Sequence, residues 1–266
     1  MDALASAAAA QARRSLRAPL VRARHLGLRD ADVVVASYPR SGSTWLTIML
    51  GELLVGEPLD EPGVNRTAPM IGRHRAAPAL LPGGGRLLRT HDRRLARSPR
   101  AVYVVRDPRD VAVSYYHYQH SHRGAFAGSL SDFVRAFVAG AADNYGRWDG
   151  HVSSWLDRSG DAALVHYRDL LRDPEPRLLE LLDFLGAPRP PERVAAVARS
   201  NAFAEMQRKE DRVRDPAARP EERFVRSGVA GGWRSVLGEQ DARAIVDAFG
   251  ETMRRHGCDE SAERGR

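Results

Sequence analysis

The chain has 266 residues and a formal charge of +7, with 41 Lys plus Arg against 34 Asp plus Glu. That length suits one large domain with a sizeable core, and that charge suits a polyanionic ligand, a membrane surface or nucleic acid without choosing among them. A single cysteine, Cys258, excludes an intrachain disulfide and a cysteine-based metal cluster, and no apolar run reaches the roughly 18 residues of a membrane-spanning helix.

Residues 1–30 are Ala-rich and then carry Arg13, Arg14, Arg17, Arg22 and Arg24 among Leu16, Leu20, Val21 and Leu26. No apolar core precedes a cleavage site, so a secretory signal is not expected. Three readings stay open: a solvated or frayed helix, which is the simplest; an organellar transit peptide; or a basic amphipathic segment lying on anionic lipid. The expected location is cytoplasmic, with peripheral membrane contact through residues 1–28 under the last reading.

Residues 33–45 read as a buried strand running into a hydroxyl-rich turn marked by Pro39 and Gly42, and then a helix over about 44–55. Residues 56–85 are rich in Gly and Pro and lack a period, an irregular stretch of the kind that carries function or disorder. Further strands are expected at Arg86–Arg89, Ala101–Val105 and Ala162–His166. Pro108 suits a helix start, and that helix runs through Ser114, Tyr115 and Tyr116. Helical patterns follow at about 130–139, 143–158, 174–185, 190–198 and 239–256, with a charged, Gly-rich candidate lid at 207–232. Strands alternating with helices predict an α/β chain: a P-loop-like three-layer fold with a central, mainly parallel β-sheet flanked by helices. Residues 31–258 read as one domain and 259–266 as a disordered tail.

The turn at 37–44 fits the nucleotide-binding pattern G-x-x-x-x-G-K-[ST] only in part. Gly42 and Thr44 fall in place, but Ser37 replaces the first glycine and Ser43 the lysine. Backbone N–H groups opening a helix still favour an anion there. The cation, Arg40, lies on the other side of the glycine. This describes a phosphate cradle without the lysine that reaches a γ-phosphate. A second strand end offers Arg106 with Ser114 two turns into the next helix, able to meet on one phosphate. A third ends at Tyr167, and Arg226 to Arg234 adds arginine and flexible backbone.

Together these motifs resemble the cytosolic-type sulfotransferases, which use 3′-phosphoadenosine 5′-phosphosulfate (PAPS). The family loop Tyr-Pro-Lys-Ser-Gly-Thr-Thr-Trp is similar to Tyr38-Pro39-Arg40-Ser41-Gly42-Ser43-Thr44-Trp45. Its Arg-Asn/Asp-Pro-x-Asp-x-x-x-Ser is matched by Arg106-Asp107-Pro108-Arg109-Asp110 and Ser114. Its Lys-Thr-His looks like Arg89-Thr90-His91, and its Arg-Lys-Gly-x-x-Gly-Asp-Trp-Lys looks like Arg226-Ser227-Gly228 through Gly231-Gly232-Trp233-Arg234. The resemblance covers about residues 32–256. It implies His91 as general base and Arg40 as the catalytic cation. It also implies nucleotide binding by Arg40, Ser41, Gly42, Ser43, Thr44, Trp45, Arg106, Ser114, Tyr167, Phe203, Arg226, Ser227 and Gly228. PAPS is then the co-substrate and PAP the product, and no metal takes part. Core packing is the alternative reading for Trp45 and Phe203. Among the departures from the pattern, Arg40 and Ser227 stand where the family has lysine, and Gly232 where it has aspartate.

Two other classes are weighed against this one. A P-loop kinase lacks its lysine here and has only Asp107 and Asp110 as Mg²⁺ candidates. A non-catalytic PAP or PAPS sensor is the other, and His91 in its expected context weighs against it. The basic residues are dispersed, so nucleic acid is not an expected partner. The expected partner is a small-molecule, lipid or glycan hydroxyl acceptor. Tyr115, Tyr116, His117, Tyr118 and residues 56–85 and 119–128 are expected to border its pocket. Oligomeric state is not readable from the sequence.

Overall fold

The structure is a computed structural model that describes residues 2–96, 98–157, 162–213, 225 and 227–258. The chain forms two compact units. One holds residues 1–15, 106–153 and 202–266, the other 16–105 and 154–201. The tail at 259–266, Arg226 and residues 214–224 of the candidate lid lie outside the described residues.

The second unit carries a four-stranded sheet built from β1 (Val33–Ser37), β2 (Leu87–Thr90), β3 (Arg100–Val105) and β4 (Ala162–His166). The order is β2-β1-β3-β4 and every neighbour is parallel. β1 is buried at all five residues, the pattern of a parallel strand covered on both faces. On one face Val33, Val35, Val102 and Val104 pack with Leu46, Leu50 and Leu53 of α2 (Ser43–Val55), with α8 (Pro174–Phe184) and with α9 (Pro191–Ser200). On the other, Tyr103 stacks on Trp155 at 6.3 Å. The chain leaves β1 towards β2 on one side and β3 on the other. The carboxyl end of β1 is therefore a topological switch point, where open α/β sheets bind ligands.

Two helices in this unit were not expected from the sequence. Residues 56–85 contain α3 (Glu61–Thr67), started by Pro62 in its first turn and by Asp60, whose side chain accepts from the Gly63 N–H at 2.7 Å. α7 (Tyr167–Arg172) follows β4 directly, too short to show a period. Ahead of the sheet, α1 (Asp2–Arg24) is a single helix that contains Pro19.

In the first unit, α4 (Pro108–His117), α5 (Leu130–Val138) and α11 (Glu239–Arg255) pack together. Phe137 meets Phe249 edge-on at 5.5 Å, and Trp148 of α6 (Trp148–Leu156) lies 5.6 Å from Phe249. α5 opens on a capping box between Ser129 and Asp132, and α10 (Phe203–Val213) fills the start of the expected lid.

Candidate active site

The expected site residues fall in both units. In the second unit, Gly42 is the N-cap of α2 in a left-handed conformation, φ 97°. It supplies no capping side chain, and the first turn holds no acidic residue. The opening N–H groups of α2, at Ser43, Thr44 and Trp45, therefore face the loop as an anion site. A Cβ on Gly42 would lie 2.4 Å from Tyr167 Cδ2, so the ring of Tyr167 closes on the glycine. Trp45 meets Tyr167 edge-on at 6.3 Å and donates its indole N–H to the Asn201 carbonyl at 2.7 Å. We expect Gly42→Ala to destabilise the protein by about 1–3 kcal/mol in urea unfolding, from the strained φ alone. It should also displace Tyr167 and weaken nucleotide binding in a titration with PAP.

Arg40 is the only non-glycine residue with positive φ among the described residues, at 69°. An arginine in the left-handed region is strained, and such strain gathers at ligand clamps. Ser41 is buried, and Thr44 is half-buried on the first turn of α2.

The loop, β1 and β2 meet at His91. The parallel register pairs Ala36 with Thr90, which sets Ser37 beside His91. His91 Nδ1 lies 2.9 Å from the Ser37 carbonyl. A carbonyl only accepts, so Nδ1 carries the hydrogen and Nε2 keeps its lone pair. The Ser37 hydroxyl donates to Ser43 Oγ at 2.8 Å and stands 3.4 Å from the same ring nitrogen. Burial holds the His91 pKa below its ordinary 6.5, and the Arg89 and Arg40 cations push the same way. The Ser37 hydrogen bond and Asp92 oppose this without reversing it. His91 is thus a neutral imidazole with a defined tautomer near neutral pH, the state a general base needs. Sequence reasoning missed this use of Ser37, which it read only as a lost glycine. Arg89 is engaged elsewhere, donating to the Ala68 carbonyl and to Asn65 Oδ1, each at 2.6 Å.

In the first unit, Asp107 caps α4 by accepting from the Arg109 N–H at 2.8 Å, and its carboxylate also takes the Arg109 guanidinium at 2.5 Å. Asp110, 3% exposed, accepts from the Gly231 N–H at 2.7 Å and the Trp233 N–H at 2.9 Å. The Arg109 guanidinium lies over the Trp233 ring at 4.2 Å. Both acids named as Mg²⁺ candidates are therefore committed to protein donors, which argues against the kinase reading. Arg106 and Ser114 are nearly buried, and Arg106 reaches the Val229 carbonyl at 3.5 Å. Ser227 is half-buried on the same loop. A Cβ on Gly228, φ 56°, would fall 2.1 Å from the Phe203 ring, so these two expected residues are in contact. Asp110 as an anchor for the glycine turn also escaped the sequence reading. We expect Asp110→Asn, which keeps the shape but turns an acceptor into a donor, to weaken PAP binding about 10-fold or more. Calorimetric titration measures it.

A family model described as the sulfotransferase domain matches residues 30–257. The chain is 26% identical over 257 residues to Sulfotransferase 1A1 of Mus musculus, covering 86% of each protein. It superposes on a structure of retinol dehydratase in complex with retinol and PAP with a TM-score of 0.70, at 21% identity, over 89% of this chain and 86% of that one. A structure of mouse sulfotransferase SULT7A1 complexed with PAP gives 0.68, at 23% identity, over 90% of each chain. By its matched domain and its relatives, this chain belongs to the sulfotransferase family.

Proposed function

We propose that this sulfotransferase moves the sulfo group of PAPS onto a hydroxyl of a small-molecule acceptor, with His91 as general base. The carrying observation is the His91 Nδ1 bond to the Ser37 carbonyl at 2.9 Å, inside the hydroxyl network that opens α2. The fit to a phosphosulfate rests on the uncapped N-terminus of α2 and on the left-handed Gly42, whose bare Cα lets the Tyr167 ring close beside it. PAPS supplies the sulfo group. His91 Nε2 takes the acceptor proton as the hydroxyl oxygen bonds to sulfur and the bond from sulfur to the 5′-phosphate oxygen breaks. Arg40 and the N–H groups of Ser43 and Thr44 stabilise the charge left on that oxygen. Trp45 and Tyr167 are assigned to the purine. Arg106, Ser114, Ser227 and Gly228 are assigned to the 3′-phosphate and its loop, with Phe203 against the adenine. Arg226, also assigned to the 3′-phosphate, rests on its motif alone.

Arginine keeps the charge at position 40 but does not readily donate a proton to the leaving oxygen, so its role is electrostatic. Arg40→Ala is expected to lower kcat about 10²-fold or more, the scale of losing one such donor. An unchanged kcat removes Arg40 from the mechanism. For the acceptor, the half-buried Tyr116 stacks on His120 at 5.0 Å and stands edge-on to Phe126 and Phe133. Aromatic walls of this kind suit phenols, steroids or other apolar alcohols. Labelled PAPS incubated with a phenol panel tests the reading: transfer supports it, and binding without turnover on any acceptor makes the protein a nucleotide sensor. Mass spectrometry of a native extract, scored for molecules that gain a sulfo group, then identifies the acceptor.

A further inference from the structure

Exposed leucines are normally scattered singly over a globular surface. Here two share a face of α1 and a third follows just past its end. Leu16 is 82% exposed and Leu20 51%, one turn apart on one face of the helix, and Leu26 follows in the turn after it at 62%. Arginines flank them. Arg22 is exposed, and the Arg24 stem lies against Gly72, where a Cβ would come within 3.1 Å of it. That contact brings the exposed Arg73 to the end of the helix. The acid at Asp30 is exposed nearby, while Asp32 is buried and paired with Arg86.

We propose that α1 seats the protein on an anionic lipid surface. Leu16, Leu20 and Leu26 enter the boundary between headgroups and acyl chains, Arg24 and Arg73 face the lipid phosphates, and Arg22 adds its charge from further round the helix. An apolar ridge beside basic side chains is the layout of a helix lying in a bilayer interface. Nucleic acid has no use for the leucines. A second copy packing α1 on α1 across a two-fold axis would set arginine against arginine. A lipid surface satisfies both groups at once, and each arginine near an anionic leaflet strengthens binding about fivefold.

The full 266-residue protein is sedimented with vesicles of phosphatidylcholine alone or mixed with phosphatidylglycerol. Binding is expected to the mixed vesicles only, and to fade as salt is raised. The surface variants Leu16→Glu/Leu20→Glu and Arg22→Glu/Arg73→Glu should each lose about 10-fold or more of that binding. Their PAP affinity and melting temperature should stay unchanged. Equal binding to neutral vesicles, or full retention by the leucine variant, overturns the proposal. So does a wild-type dimer that the leucine variant turns into a monomer, since the ridge then belongs to a second copy.

Discussion

Replacing His91 with alanine is expected to lower kcat about 10²- to 10⁴-fold while PAP binding is retained, the range for removing a positioned general base. The KM-against-kcat split separates this from a loss of folding, because the Ser37–Ser43 hydrogen bond at the mouth of α2 does not need the imidazole. The wild-type pH profile follows from the sign of the shift. Burial, with the Arg89 and Arg40 charges, holds the His91 pKa below 6.5. The base therefore stays neutral somewhat below that pH, and kcat/KM should fall only as pH drops further, with an apparent pKa under 6.5. In His91→Ala the residual rate should lose this acid limb. A limb that persists in the variant assigns the proton to another group.

The same shift bears on stability. A histidine whose pKa is lower folded than unfolded binds fewer protons in the native state, so stability is present above about 6.5 and is lost as pH falls towards the folded pKa. His74 acts in the same direction, lowered first by burial and then by the Arg86 charge. Activity and stability should thus both decline on the acid side; His91→Ala should remove the decline in activity and leave the part of the stability decline that His74 contributes.

How much of this was legible before the fold depends on range. The strands at 33–37, 100–105 and 162–166 announced themselves as β-branched or apolar runs of strand length, and Pro108 marked the start of α4 because proline at a first turn loses no helical bond. α3 was hidden because a seven-residue helix containing Pro62 and Gly63 shows no hydrophobic period. The cradle residues were readable because glycine and hydroxyls at fixed local spacing have a local cause. Ser37 and Asp110 were not, because their roles arise across gaps: Ser37 acts on a histidine of the neighbouring strand, and Asp110 on backbone far along the chain. Strand order decides the first of these, and no spacing within either segment encodes it.

The largest effect on stability is expected at Arg86, which no motif includes. Arg86 and Asp32 form an ion pair at 2.6 Å with side chains 2% and 0% exposed. Burial alone raises the Asp32 carboxyl. Hydrogen bonds from the Arg86 side chain and from the backbone of Arg29 and Arg86 outweigh it and hold the carboxyl below 3.8. Arg86 also donates to the carbonyls of His74 at 3.0 Å and Gly27 at 2.8 Å, tying two further segments to the start of β1 and β2. Arg86→Met removes every donor but the backbone and leaves a buried carboxylate, which costs about 3–5 kcal/mol in urea unfolding. With the cation gone, burial prevails and the Asp32 pKa rises. The share of the acid loss of stability that Asp32 contributes, present in the wild type as pH falls below 3.8, should vanish in the variant, which should instead regain stability as pH falls through the raised Asp32 pKa. The double variant Asp32→Leu/Arg86→Met should recover much of the loss, since an apolar pair carries no desolvation cost. Val33 pairs with Leu87 at the opposite end of β1 and β2 from His91 and the Arg40 loop. The single variant, assayed where it remains folded, should therefore keep its kcat. A parallel fall in kcat would mean that the pair sets the geometry of the strand ends as well as their stability.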